Sequence, residues 1–223
     1  MQENYVTLEE IQENHIVKTL IRTGNRNLEV MGYTEHGFRH IGLVSKIAPN
    51  VLRRLGFPGR EAELAAIAGY LHDMGNAVNR NGHHLSGAIL AYYILDELGM
   101  SPDELFTVVA AIGNHDEGTG QPVNNVAAAL ILADKSDVHR TRVRNQQSIG
   151  IDIHDRVNYA VERSFLRVNA EEKHLTLELV IDPQISPVMD YFEIFLSRMF
   201  MCRRAAEFLG CTFALEINGN KLV

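Results

Sequence analysis

Leu64-Ala65-Ala66-Ile67-Ala68-Gly69-Tyr70-Leu71-His72-Asp73-Met74-Gly75 is an apolar helical run that ends on an imidazole and a carboxylate. Adjacent helix positions project about 100° apart. His72 and Asp73 fall in the last turn, however, where Gly75, read as a C-cap, lets the backbone bend away and the two side chains converge. A terminal His beside an Asp also serves a helix dipole, so the doublet gains weight only from other polar residues that interrupt apolar helical stretches near their ends. These are His36 and His40, four apart and read as sharing one helix face, then His83-His84, Asn114-His115-Asp116-Glu117, and Asp134 after the apolar run 129–133. An Asp in that position is costly to bury without a cation partner. Lys135 is one candidate partner and a metal ion the preferred one. His and Asp donors of this kind describe a hard-metal site rather than a zinc finger, with chemistry suited to phosphate-ester hydrolysis.

Helical signals continue on both sides. The capping box Thr7-Leu8-Glu9-Glu10 opens a helix through Ile11, His15, Ile16 and Leu20. Further helices are expected over about residues 34–55, with Pro49 as a kink or break, and over 59–74 and 84–98. Another starts at Pro102, with Ser101 as N-cap and Glu104 three residues after the cap, and ends near 114. After a Gly-rich loop at 116–122 come helices from 124 or 125 to Asp134 and over about 155–163. From Ser164 the apolar period drops to two around a polar turn. Ser186-Pro187 then starts a long helix to about 209, and 212–217 with Asn218-Gly219-Asn220 reads as strand and turn. The expected architecture is mainly α: a helical core over residues 1–163 and a small C-terminal α+β appendage, 164–223, packed on it. The apolar residues between Met189 and Phe200 exceed one helix face, and burial against the core is read ahead of a homodimer contact.

The chain has 223 residues, 46% of them apolar, enough to bury a substantial core. A net charge of −7 argues against binding duplex nucleic acid through a broad basic face, but not against a small phosphorylated substrate at a metal. Cys202 and Cys211 are too few for a disulfide framework, so a reducing cytoplasm is expected. The start MQENYVTLEEIQENH is acidic and polar, unlike a signal peptide, and no run approaches the roughly 18 apolar residues of a membrane span.

His40-Ile-Gly-Leu-Val-Ser-Lys-Ile-Ala, Leu-His-Asp-Met-Gly and Ala-Asp-Lys-Ser-Asp follow one another in helical contexts over about residues 34–140. They resemble the H...HD...D signature of the HD-domain metal-dependent phosphohydrolase superfamily. The resemblance implies an HD-domain helical core holding a divalent metal through His40, His72, Asp73 and Asp134. Some members, such as cyclic-di-GMP phosphodiesterases of the HD-GYP type, add histidines for a second ion, and His83 and His115 fall where those are expected. His36 is a further candidate ligand, or an ordinary surface or core histidine. One or two ions are expected, from among Mn, Fe, Mg, Co, Ni and Zn, with Asp73 the natural bridge. Three departures make a cyclic dinucleotide the secondary substrate reading: Asn76 replaces a frequent Lys, Asn114 replaces a His, and the loop 118–122 lacks the Tyr of the Gly-Tyr-Pro segment.

In the expected mechanism the metal lowers the pKa of a bound water, Asp73 orients it, and His83 or His115 assists proton movement. Arg39, Lys135 and Arg140 are the basic residues assigned to the phosphate of a nucleotide or other small substrate. Arg142 and Arg144 read as a solvated basic stretch. Two alternatives stand beside the hydrolase: an HD-type di-iron oxygenase and a non-catalytic metal- or nucleotide-binding sensor.

Overall fold

The computed structural model describes residues 5–145, 147 and 149–222. Among them the chain forms α1 (Leu8–Glu13), α2 (His15–Val30), α3 (Phe38–Arg54), α4 (Gly59–Leu71), α5 (His83–Glu97), α6 (Pro102–Gly113), α7 (Asn125–Lys135) and α8 (Ile153–Ala160). Strands β1 (Val161–Asn169) and β2 (His174–Ile181), the long helix α9 (Val188–Phe208), and β3 (Thr212–Ile217) with β4 (Asn220–Lys221) complete it. The molecule is therefore mainly helical with a small sheet at the carboxyl-terminal end.

Helix α7 lies at the centre because Val126 through Ala133 are all buried, the signature of a helix covered on every side. It packs on α3, α4, α6 and α9. The α9 contact draws the carboxyl-terminal residues into the same apolar core as the helices, through Tyr191, Phe195 and Met201. The outer side of α9 stays open, with Met189, Leu196 and Phe200 exposed. The sheet has order β1-β2-β3-β4, antiparallel at both ends and parallel between β2 and β3, with α9 as the crossover. Leu175, Leu177 and Leu179 pair with Phe213, Leu215 and Ile217 and are buried together, as the period of two requires. Asn218 and Gly219 both have positive φ, 52° and 80°, the backbone of a tight hairpin turn.

Several local expectations are corrected. Asn14 ends α1 and caps α2 through its side chain, splitting the expected first helix in two. Pro49 does not break α3, which runs unbroken to Arg54 and is buried along its length against α4 and α7. Ser101 makes no side-chain cap bond, and Glu104 is instead held by Arg60 at 2.6 and 2.7 Å. The long helix takes Pro187, not Ser186, as its N-cap, and the last helix before the sheet ends at Ala160 because β1 begins at Val161.

Gly75 is not a left-handed C-cap. The chain leaves α4 through a 3-10 turn, Met74–Ala77, and the glycine is required by close approach. A Cβ there would meet the His83 carbonyl oxygen at 1.9 Å and the Gly87 nitrogen at 2.5 Å. Both obstacles are backbone of α5, so neither can step aside. Gly75→Ala should therefore cost about 3 kcal/mol or more and lower the thermal midpoint by roughly 6–12 °C. Gly42→Ala, where nothing lies within 4 Å of the added carbon, should be neutral or gain about 0.5–1 kcal/mol. Thermal melts of the two variants check both; an unchanged midpoint in Gly75→Ala would contradict the packing argument.

Candidate metal centre

Five helix ends meet at one point. His40 lies in the first turn of α3, His72 and Asp73 follow α4, His83 opens α5, His115 follows α6, and Asp134 lies in the last turn of α7. Helix ends leave backbone groups without partners, and the site uses them. His72 Nδ1 donates to the carbonyl of Gly69 (2.9 Å) and His115 Nδ1 to that of Ile112 (2.7 Å), each three residues back at a helix C-terminus; His83 Nδ1 donates likewise to Arg80 (3.0 Å). His40 Nδ1 donates instead to the carboxylate of Asp137 at 2.6 Å. A ring nitrogen facing an oxygen must carry the proton, so each Nε2 is left as the inward-facing donor atom for a metal.

The inward atoms lie close together. His40 Nε2 is 3.3 Å from His72 Nε2, 3.3 Å from Asp134 Oδ1 and 3.6 Å from Asp73 Oδ2. His72 Nε2 is 3.4 Å from the same Asp73 oxygen. On the other side, His83 Nε2 is 3.4 Å from Asp73 Oδ1 and 3.1 Å from His115 Nε2. Asp73 thus offers one oxygen to each half of the cluster. Oδ1 also accepts from the Asn76 amide at 3.0 Å, whereas Oδ2 is buried without any hydrogen-bond partner.

This arrangement fits a bound cation. Two buried imidazole nitrogens 3.1 Å apart repel unless a proton or a metal lies between them. A proton is disfavoured, because burial holds His83 below the ordinary imidazole value and His115 well below it. His72 is raised: burial opposes its charge, but the carboxylates of Asp73 and Asp134 outweigh that. Asp73 and Asp134 stay ionised well below the usual carboxylate range despite burial, through His72 for the first and Lys135 for the second. Orphaned carboxylate oxygen, bare imidazoles and retained negative charge together describe the donor set of a divalent metal. Within it, His40, His72 and Asp134 form one possible group and His72, Asp73 and His115 another.

The remaining assigned residues lie elsewhere. His36 precedes α3 rather than sharing its face, bonds Thr34 through Nδ1 and stacks edgewise on His40 at 5.5 Å, outside the groups that could hold an ion. Lys135 donates to Asp134 Oδ2 at 2.5 Å, so the lysine is one partner of the Asp134 carboxylate, while its Oδ1 lies 3.3 Å from His40 Nε2. Arg39 faces Asp137, with two bonds of 2.7 and 3.2 Å, and so braces the residue behind His40. Arg140 is not brought to the site. It points outward, bonding Glu162 at 2.9 Å over the Tyr159 ring.

Sequence reasoning missed five residues. Asp137 is buried behind His40 and Asn76 holds Asp73; Asp137 stands three positions after Asp134 in Ala-Asp-Lys-Ser-Asp, and Asn76 reads from sequence only as the replacement of a frequent Lys. Arg142, expected in solvent, is buried and bonds the carbonyls of Glu35 and Asp137. Arg144 likewise bonds the carbonyls of Tyr33 and Asn25. Arg80 has Nη1 3.5 Å from His83 Nε2, and no sequence pattern marks it. A further group, His83, His84 and Asp116, sits at the edge of the cluster.

A buried cluster of His and Asp donors at converging helix ends defines a helical domain with groups that could hold a metal ion. Residues 37–142 match the family model described as HD domain, and this part of the chain is an HD domain of the metal-dependent phosphohydrolase superfamily. The chain is also 26% identical to a protein of Methanocaldococcus jannaschii named "Uncharacterized protein MJ1020", across 78% of this chain and 75% of that one. No helix among the described residues is long and apolar enough to cross a membrane.

Removing the brace behind His40 should weaken the site without unfolding it. Asp137→Asn is expected to lower affinity for a divalent ion about 10–100-fold, measured by calorimetric titration of metal-free protein; unchanged affinity would remove Asp137 from the site. Affinity should also fall from pH 8 to pH 6 with proton release on binding, since His72, raised above about 6.5, must give up its proton to ligate.

Proposed function

We propose that the protein is a metal-dependent phosphohydrolase that cleaves a phosphoester of a nucleotide or other small phosphorylated substrate with a metal-activated water. The observation that carries this reading is the pair of buried imidazole nitrogens, His83 Nε2 and His115 Nε2, 3.1 Å apart, with Asp73 Oδ1 3.4 Å from the first. His40, His72, Asp134 and Asp73 Oδ2 would hold one ion. His83, His115 and Asp73 Oδ1 would hold a second, with Asp73 as the bridge. The imidazole-rich set favours Mn, Fe, Co, Ni or Zn over Mg. A divalent ion bound there supplies Lewis acidity and a water with a pKa near neutrality.

The chain's own residues supply the rest. Asp73, fixed by two bonds from the Asn76 amide, sets the direction from which the water attacks. His36 stays neutral because burial and Arg142 hold its pKa well below the ordinary value. Its Nδ1 is engaged, so Nε2 is the acceptor available for a proton. With His83 and His115 used as ligands, His36 is the better candidate for that role. Lys135 and Arg39 act through Asp134 and Asp137 rather than on the phosphate. The reduced, buried state of Cys202 and Cys211 suits a cytoplasmic setting.

The test is phosphate release from nucleoside monophosphates, and chromatographic detection of the linear product from cyclic dinucleotides, with Mn²⁺ and with Asp73→Ala in parallel. The parent should release phosphate and the variant lose roughly 10³-fold or more. Silence from a metal-replete parent, with oxygen consumption by the iron-loaded protein, would replace this reading with the oxygenase.

A further inference from the structure

A cavity of about 430 Å³ opens beside the metal cluster. Two of its wall residues adjoin the cluster: His36, stacked edgewise on His40, and Arg80, whose Nη1 is 3.5 Å from His83 Nε2. α8 contributes His154 and Asn158, and α9 contributes Arg198, whose guanidinium is fixed by Glu117 and by the Phe195 ring at 4.2 Å.

Arg80 is the unusual member. Arg198 has Glu117, and Arg142, also on the wall, is satisfied by carbonyls and by Asp137. Arg80 makes no salt bridge among the described residues. Its nearest polar neighbours are Asn76 Oδ1 and His83 Nε2, both at 3.5 Å, too far for strong bonds. The second of these is the nitrogen that faces the metal position. Once it is used there, Arg80 has lost an acceptor and confronts a cation across a few ångströms. An anion touching both resolves the conflict, and a phosphoryl oxygen matches the guanidinium fork.

We propose that Arg80 is a substrate-binding residue that receives the phosphoryl group of a phosphate monoester, and that the cavity holds its hydroxyl-bearing alcohol part, of sugar or nucleoside size. This rests on the phosphohydrolase reading. The volume lies at the small end for ligand pockets, suited to one such group rather than to the two arms of a large diester. The imidazole of His154 and the amide of Asn158 on the wall suit hydroxyl groups rather than a hydrocarbon.

Two measurements test it. Inorganic phosphate is titrated calorimetrically into metal-replete protein, parent against Arg80→Met and Arg80→Lys, with metal per chain determined for each. Arg80→Met should bind phosphate at least about tenfold more weakly at unchanged metal content, and Arg80→Lys should recover part of the loss. Phosphate affinity that ignores Arg80, or loss of metal from Arg80→Met, overturns the assignment; the latter makes Arg80 a support of His83. The second measurement is kcat/KM for a sugar phosphate relative to p-nitrophenyl phosphate. His154→Leu should shift that ratio about fivefold or more toward the nitrophenyl ester, and an unchanged ratio overturns the placement of the alcohol part. A metal-replete parent that neither binds nor releases phosphate overturns the phosphohydrolase reading itself.

Discussion

Three of the four inward histidines bond the carbonyl three residues behind them, and the fourth bonds Asp137. Every Nδ1 proton is thereby committed outward, and every Nε2 is committed to a common centre. The rest of the molecule depends on this constraint. A cluster of converging imidazole nitrogens and ionised carboxylates, all but Asp134 essentially sealed from water, destabilises the fold unless a cation compensates. The ring orientations are set locally, by carbonyls three residues back for three of the histidines and by Asp137 for the fourth.

Around that centre the packing is unusually close to backbone. α5 approaches the turn after α4 so tightly that only a glycine fits at position 75, which brings His83 within reach of Asp73. The carboxyl-terminal helix is tied to the same point through an ion-pair chain, from Arg198 to Glu117, then Lys135, then Asp134. α9 therefore does more than cover the core: it bears on Asp134 of the cluster and walls the adjoining cavity. The open apolar side of α9 takes no part in this.

What could be read from sequence was local. A His-Asp doublet closing an apolar helix, a histidine near the start of another and an Asp after a five-residue apolar run are visible without coordinates, as is the change of period that marks the strands. The missed features come from partners far apart in the chain. Arg142 reaches Glu35 across 107 positions, so a charge that reads as solvated is buried, and Arg39, read as a phosphate contact, reaches Asp137 across 98. Arg80 follows a turn whose course depends on α5. Pro49 illustrates the opposite error, where tertiary packing carries a helix through a residue whose local chemistry argues for a break.

The central claim is that imidazole nitrogens and the Asp73 carboxylate enclose a divalent ion pair. X-ray absorption spectroscopy of the protein loaded with Mn²⁺ or Fe²⁺ addresses it directly. The account predicts imidazole scattering around the metal and, at two ions per chain, a metal–metal vector of about 3.5–4 Å. A first shell of oxygen alone, with no imidazole contribution, would contradict it.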